Sequence, residues 1–194
     1  MEWSYPDGKQ QPFRPYQHAI AKAALLQNTL VTLPTGFGKT LIAATVAHNF
    51  LNCFPKKRVV FMAPSRPLVA QQIAACCAAV GRRAQDDAIL LTGETQPSSR
   101  AAIWRDSPQR FVFCTPQTFE NDLRSGLADP RSVSCVVMDE AHHASSSGYA
   151  YAHIVRLLEE GGARYRLLGL SATAGTDLPQ VQRVVRALRI ERIE

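Results

Sequence analysis

Short apolar runs of four to six residues alternate along the chain with longer stretches in which apolar side chains recur at helical spacing. The runs predict strands near 29–33, 58–62, 88–92, 110–114, 133–138 and 166–170. Between them the spacing predicts helices near 15–27, 39–51, 66–80, 98–105, 116–125, 149–160 and 178–189. The strand runs are apolar throughout, as in Val59-Val60-Phe61-Met62, instead of alternating with polar residues. Strands of that kind are covered by helices on both sheet faces, so the expected fold is an α/β three-layer sandwich with a mainly parallel central sheet.

Ligands of such a sheet collect beyond the C-terminal ends of its strands. Each sharp polar motif of the chain falls at such an end: Pro34 to Thr40, Ala63 to Arg66, Thr92-Gly93, Thr115 to Gln117, Asp139 to His142, and Ser171 to Thr173. One active edge is therefore expected to gather them. The lead-in of Trp3, Tyr5, Pro6, Asp7 and Gly8 is expected to be irregular, with no secretory or mitochondrial leader, and Ser145 to Gly148 to form a short loop.

A length of 194 residues suits one well-buried domain. No apolar run approaches the ~20 residues of a membrane span, and no membrane partner is expected. Basic residues outnumber acidic ones by 22 to 16, giving a net charge of +6, which fits a polyanionic partner. The five cysteines contain no Cys-x-x-Cys pair, so a reduced intracellular compartment and no zinc site are expected.

The chemistry starts at Leu33-Pro34-Thr35-Gly36-Phe37-Gly38-Lys39-Thr40, set between a predicted strand and a predicted helix. Glycines at 36 and 38 let the backbone curl so that its N–H groups point inward. The helix start favours negative charge, Lys39 can reach the outer phosphates of a nucleotide, and Thr40 is left for Mg²⁺. Leu33 stands where the strict phosphate-loop pattern has glycine. The strand ending at Met138 delivers two adjacent carboxylates, Asp139 and Glu140, one able to hold Mg²⁺ and the other to orient water.

Thr35 to Thr40, Ala63 to Leu68, Thr115-Pro116, Asp139-Glu140-Ala141-His142 and Ser171-Ala172-Thr173, in that order, resemble motifs I, Ia, Ib, II and III of the superfamily 2 DEAH-type helicases. Tyr16-Gln17, Gln27 to Val31, Pro67 to Ile73, Asn121-Asp122-Leu123 and Tyr149-Ala150-Tyr151 make the chain similar to the Fanconi anaemia complementation group M family and its archaeal Hef relatives, translocases of branched DNA. The resemblance runs from Trp3 to Glu194. It implies a first RecA-like motor domain over residues 1–194 that uses ATP and Mg²⁺ on branched or forked DNA, in the nucleus if the source is eukaryotic. It also implies a second motor domain as partner, which nothing after Thr173 resembles.

By the same resemblance Pro34 to Thr40 cradle the nucleotide, Lys39 contacts the β- and γ-phosphates, and Gln17 reads the adenine edge. Thr40 and Asp139 hold Mg²⁺, Glu140 orients the attacking water, and His142 couples the site to Ser171 and Thr173. Ser65, Arg66, Gly93 and Thr115 fall on motifs that touch the sugar-phosphate backbone of one strand. Ala174 replaces the usual proline after motif III, and His143 stands where a basic residue is common.

Plainer readings stay open beside these. Gln17 can be a polar residue on an exposed helix face, Arg66 a surface charge at a helix start, and Ser171 and Thr173 a helix-entry cap. Arg183, Arg186 and Arg189 read as a solvated face. An RNA helicase or double-stranded RNA sensor, and a nucleotide-dependent binding module without turnover, are the alternative functions.

Overall fold

The computed structural model describes residues 3–6, 12–146, 148–173, 175 and 177–194. Asp7, Gly8, Ser147 and Ala174, which carry expectations above, lie outside the described residues. Among the described residues seven strands form one sheet: β1 (Thr29–Thr32), β2 (Arg58–Met62), β3 (Ala88–Leu91), β4 (Phe111–Cys114), β5 (Val133–Met138), β6 (Arg166–Ser171) and β7 (Arg192–Ile193). Their order is β3-β4-β2-β5-β6-β1-β7, and every pairing is parallel. The helices are α1 (Pro15–Leu26), α2 (Lys39–Cys53), α3 (Arg66–Ala79), α4 (Ala84–Asp87), α5 (Pro97–Asp106), α6 (Pro116–Arg124), α7 (Ala150–Glu160) and α8 (Leu178–Ala187). Short 3₁₀ turns cover Pro130–Ser132 and Ala141–Ser145.

Successive side chains of each strand point to opposite faces, and both faces are dry. Val59, Phe61, Cys135, Val137, Leu168 and Leu170 pack with the inner sides of α1, α2 and α3. Val60, Met62, Val136, Met138 and Leu167 pack with Trp104 of α5, Phe119 of α6, Tyr151 and Ile154 of α7, and Val184 of α8. This is the three-layer sandwich expected from the unbroken apolar runs. Burying one such side chain contributes about 1.5–3 kcal/mol before the entropy of ordering it. α2 lies against the sheet centre with Leu41 through Ala47 all buried. Its run of small residues lets that helix sit close to the strands.

Proline opens several helices. Pro15, Pro67, Pro97, Pro116 and Pro179 occupy the first or second helical position, where the missing N–H costs nothing. Two elements escaped the pattern: α4, one turn long, and β7, two exposed residues that pair with Thr29 and Leu30. The last helix is shorter than predicted, since it ends at Ala187, and Arg189 takes a left-handed conformation with φ 53°. Its guanidinium pairs with Glu159, while Arg183 and Arg186 are exposed as a solvated face requires. The predicted loop at 145–148 begins one residue later, because Ser145 closes a 3₁₀ turn.

The lead-in is irregular at residues 3–6 but held. Asn49, buried on α2, accepts from the Ser4 N–H and donates to the Ser4 carbonyl, both at 2.8 Å. Trp3, Tyr5 and Phe13 gather around the His18 ring.

Candidate nucleotide site and strand-facing edge

β1 and β5 stand on either side of β6, and their C-terminal ends open into the same space. The loop leaving β1 turns at Gly36 and Gly38, both left-handed with φ near 86° and 87°. Gly38 is doubly constrained, because a Cβ there would lie 2.0 Å from the Gln17 amide nitrogen. α1 braces the loop from behind. The Tyr16 hydroxyl and Gln17 Nε2 both donate to the Phe37 carbonyl, at 2.9 and 3.0 Å. Lys39 folds over the loop and donates from Nζ to the Leu33 carbonyl at 2.7 Å. Leu33 therefore serves through its backbone, which explains why a side chain is tolerated where the strict pattern has glycine.

β5 ends with Asp139 buried and Glu140 half-exposed. Glu140 has φ 50° and ψ 49°, a left-handed conformation costing roughly 1–2 kcal/mol in a residue with a Cβ. Strained conformations of this kind cluster at active sites and ligand clamps. Burial pushes the Asp139 carboxyl above its ordinary range, opposed by the Glu140 N–H, Lys39 and the Gln72 amide. The Glu140 N–H donates to Asp139 Oδ1 at 3.0 Å. Asp139, Glu140, Thr35, Gly36, Gly38, Lys39 and Thr40 all line one cavity of about 1020 Å³.

His142 reaches Ser171 Oγ through Nδ1 at 2.9 Å and lies 3.3 Å from Glu140 Oε2. Ser171 Oγ in turn donates to the Thr173 carbonyl and accepts from the Thr173 N–H. Ser171 pairs with Thr32 in the sheet, and its carbonyl accepts from the Leu33 N–H. The carboxylate turn, the β6 end and the phosphate-loop strand are thus joined by a continuous set of hydrogen bonds. Burial and the neighbouring His142 hold the His143 imidazole below its ordinary value. The helix-entry cap belongs to Asp177, whose side chain accepts from the Gln180 N–H at 2.7 Å, and not to Ser171 or Thr173.

Gln17 is buried at 3% exposure, which removes the reading of a solvated helix face. Its amide nitrogen is spent on the loop, and it does not line the cavity. Ser65, Arg66, Gly93 and Thr115 stand at the same sheet edge but outside that cavity. Arg66 pairs with Glu94 at 2.5 Å, which brings the start of α3 against the turn after β3. Thr115 Oγ1 bonds Thr118 Oγ1 at 3.0 Å at the start of α6, and Ser65 makes no capping bond with its hydroxyl. Three residues of consequence were not assigned a role from sequence: Glu94, Gln72 and Tyr151. Gln72 accepts from Thr40 Oγ1 and donates to Asp139 Oδ2, and Tyr151 donates to the Asp139 carbonyl. Gln72 and Tyr151 stand in the sequence only as letters of shared motifs and Glu94 in none of them, since a tertiary partner leaves no trace in local spacing.

The donors suit a polyphosphate with a hard cation. The loop, the Lys39 ammonium, the Thr40 hydroxyl and the carboxylates of Asp139 and Glu140 line one cavity, and hydroxyl and carboxylate oxygens are the set that Mg²⁺ takes together with substrate phosphates. Among the described residues no group of three or more His, Cys, Asp or Glu side chains could hold a metal by itself. Thr40 and Asp139 are the residues that would hold the cation, completed by phosphate oxygens and water.

Comparison with known proteins follows the same lines. The chain is 46% identical over 192 residues to the DEAD-box ATP-dependent RNA helicase FANCM of Arabidopsis thaliana, covering 99% of this chain and 14% of that protein. It is 46% identical over 181 residues to the ATP-dependent DNA helicase MPH1 of Saccharomyces cerevisiae (strain YJM789), covering 93% and 18%. The chain thus spans under a fifth of the length of these relatives. The crystal structure of the Pyrococcus furiosus Hef helicase domain superposes with a TM-score of 0.87 at 34% identity, over 98% of this chain and 39% of that one. The DEAD/DEAH box helicase profile matches residues 14–181, so it takes in the phosphate loop, the carboxylate turn and the Ser171 end of β6 together, and the chain belongs to that family.

Proposed function

We propose that this chain is the first RecA-like half of an ATP-driven motor that moves along branched or forked DNA. The observation that carries the reading is the single cavity in which Lys39, Thr40, Asp139 and Glu140 meet, with Ser65, Arg66, Gly93 and Thr115 along the same sheet edge. In this reading the loop amides and Lys39 bind the β- and γ-phosphates, and Thr40 and Asp139 hold Mg²⁺. Mg²⁺ held there by Thr40 and Asp139 would supply neutralisation of the phosphate charge. Glu140 orients the attacking water, and His142, Ser171 and Thr173 pass the state of the site to neighbouring strands. Gln17 acts on the adenine side indirectly, by holding the Phe37 carbonyl of the loop.

Ser65, Arg66, Gly93 and Thr115 grip one strand through its sugar-phosphate backbone, without reading sequence. A second RecA-like domain closes the cleft and supplies the arginine that steadies charge in the transition state. The setting is a reducing intracellular one, the nucleus in a eukaryotic cell. Five free cysteines, four of them buried, support it.

RNA is the competing substrate, since one relative of 46% identity bears the name of an RNA helicase and another of equal identity that of a DNA helicase. Competition of a labelled forked DNA against unlabelled forked DNA, single-stranded DNA and duplex RNA, at one fixed salt concentration, tests the assignment. Forked DNA is expected to displace the probe best. Stronger displacement by RNA would replace the DNA reading.

A further inference from the structure

Gln72 lies on α3, six residues after Arg66, and its carboxamide reaches two other elements at once. Oε1 accepts from Thr40 Oγ1 at 3.2 Å, and Nε2 donates to Asp139 Oδ2 at 3.2 Å. These are the two side chains that the site offers to a cation. The amide stands between them, and among the described residues no direct hydrogen bond joins Thr40 to Asp139.

We propose that Gln72 is a latch on the metal site, which holds Thr40 and Asp139 apart in the free protein and withdraws when a Mg²⁺-bound nucleotide enters. This rests on the nucleotide reading above. Mg²⁺ draws its oxygen ligands to about 2.0–2.1 Å and demands near-octahedral placement, so Thr40 and Asp139 must close on a common centre. An amide bonded to both keeps that centre from forming. The N–H that Gln72 aims at Asp139 also presents the positive end of its dipole where a cation must approach, an unfavourable pairing in a half-buried site. One neutral hydrogen bond and one to a carboxylate are exchanged for metal coordination, so the latch lowers apparent Mg²⁺ affinity without forbidding it. Gln72 is thereby a positioning residue acting through Thr40 and Asp139.

The test is the affinity of a fluorescent ATP analogue for the 194-residue chain with and without Mg²⁺, read as the ratio of the two. Gln72→Leu fills much of the space without an amide, and Gln72→Asn keeps the amide but is too short to reach both partners. Each is checked for folding by circular dichroism, and either folded variant carries the test. The expected result is a Mg²⁺-dependent ratio raised about three- to tenfold over wild type, the worth of one or two ordinary hydrogen bonds. General damage to the site lowers that ratio, so a rise is not a generic effect of mutation. A ratio unchanged or lowered in a folded variant, beside a normal Mg²⁺ response in wild type, overturns the latch alone. A wild-type chain that binds no analogue overturns the nucleotide reading and the latch with it.

Discussion

The Tyr151 hydroxyl donates to the main-chain carbonyl of Asp139 at 2.6 Å, from a ring with no solvent exposure. α7 therefore holds the end of β5 at the residue where the carboxylate pair begins. The same hydroxyl lies 3.5 Å from the Met62 carbonyl at the end of β2, so one buried side chain sits over two strand ends. Tyr151→Phe keeps the ring packing and leaves the Asp139 carbonyl without that donor. Stability is expected to fall by about 1–2 kcal/mol, the cost of a buried acceptor left unpaired. Chemical denaturation measures it, and an unchanged midpoint would mean that the carbonyl finds another partner at no cost.

Arg66 and Glu94 form an ion pair at the edge proposed to meet the strand. Both are well exposed, so their ion pair contributes little to stability, but it occupies the charge that a phosphate needs. Arg66→Ala is expected to reduce the slope of log affinity against log salt by about one phosphate contact. Glu94→Gln is expected to tighten strand binding at low salt, because Arg66 is then free for a phosphate. Fluorescence anisotropy with a single-stranded oligonucleotide at several salt concentrations reads both. An unchanged slope in Arg66→Ala would leave this arginine as a surface charge.

Gly93 offers a sharper discrimination. A Cβ built there meets nothing within 4 Å, so the free fold does not require glycine at this position. Gly93→Ala is expected to leave the melting temperature within about 2–4 °C, as for a surface change of under 1 kcal/mol, while weakening strand binding. Equal binding would remove the close backbone approach assigned to this turn.

Asp139 sits where burial disfavours its charge in the free fold. Burial raises its pKa in the folded chain above the unfolded value, so the folded state binds the proton more tightly than the unfolded one. Its ionised form then costs stability at neutral pH, and that cost disappears as pH falls through the raised value toward the unfolded one. Asp139→Asn is expected to be more stable than wild type at pH 7, with the difference shrinking toward acid pH. Thermal melts between pH 7 and pH 4 check the sign, and a variant less stable at pH 7 would contradict it.

How much of this was legible before the structure depends on whether the signal is local. β2 and β5 announced themselves as Val59 to Met62 and Val133 to Met138, because a strand buried on both faces must be apolar at every position. The phosphate loop was legible through Gly36 and Gly38, whose positive φ angles a side chain would resist. β7 was not, since Arg192 and Ile193 are ordered by hydrogen bonds to a strand more than 160 residues earlier. Gln17 was assigned to the adenine edge by resemblance, and only the tertiary structure puts its amide nitrogen on Phe37. Gln72, Glu94 and Tyr151 act across elements, where sequence spacing carries no information about contact.

In the proposed reading of the chain as one motor half, turnover has a limit. The arginine that steadies the transferring phosphoryl group comes from the partner domain in the proposed mechanism, an effect worth roughly 10³ to 10⁵ in rate. The 194-residue chain alone is expected to hydrolyse ATP far below one per second and to respond little to DNA. A DNA-stimulated rate of several per second from the purified monomer would place the missing arginine within this chain or in a second copy.

In the proposed mechanism the loop after β1 and the carboxylates after β5 form one Mg²⁺-nucleotide site. Lys39 crosses that loop to the Leu33 carbonyl and lines the cavity shared with Asp139 and Glu140. Equilibrium binding of a fluorescent ATP analogue to wild type and to Lys39→Ala, in Mg²⁺ and with folding confirmed by circular dichroism, tests it most directly. The account predicts saturable binding by wild type and its loss, or near loss, in a folded Lys39→Ala. Equal affinity in the two proteins would contradict it.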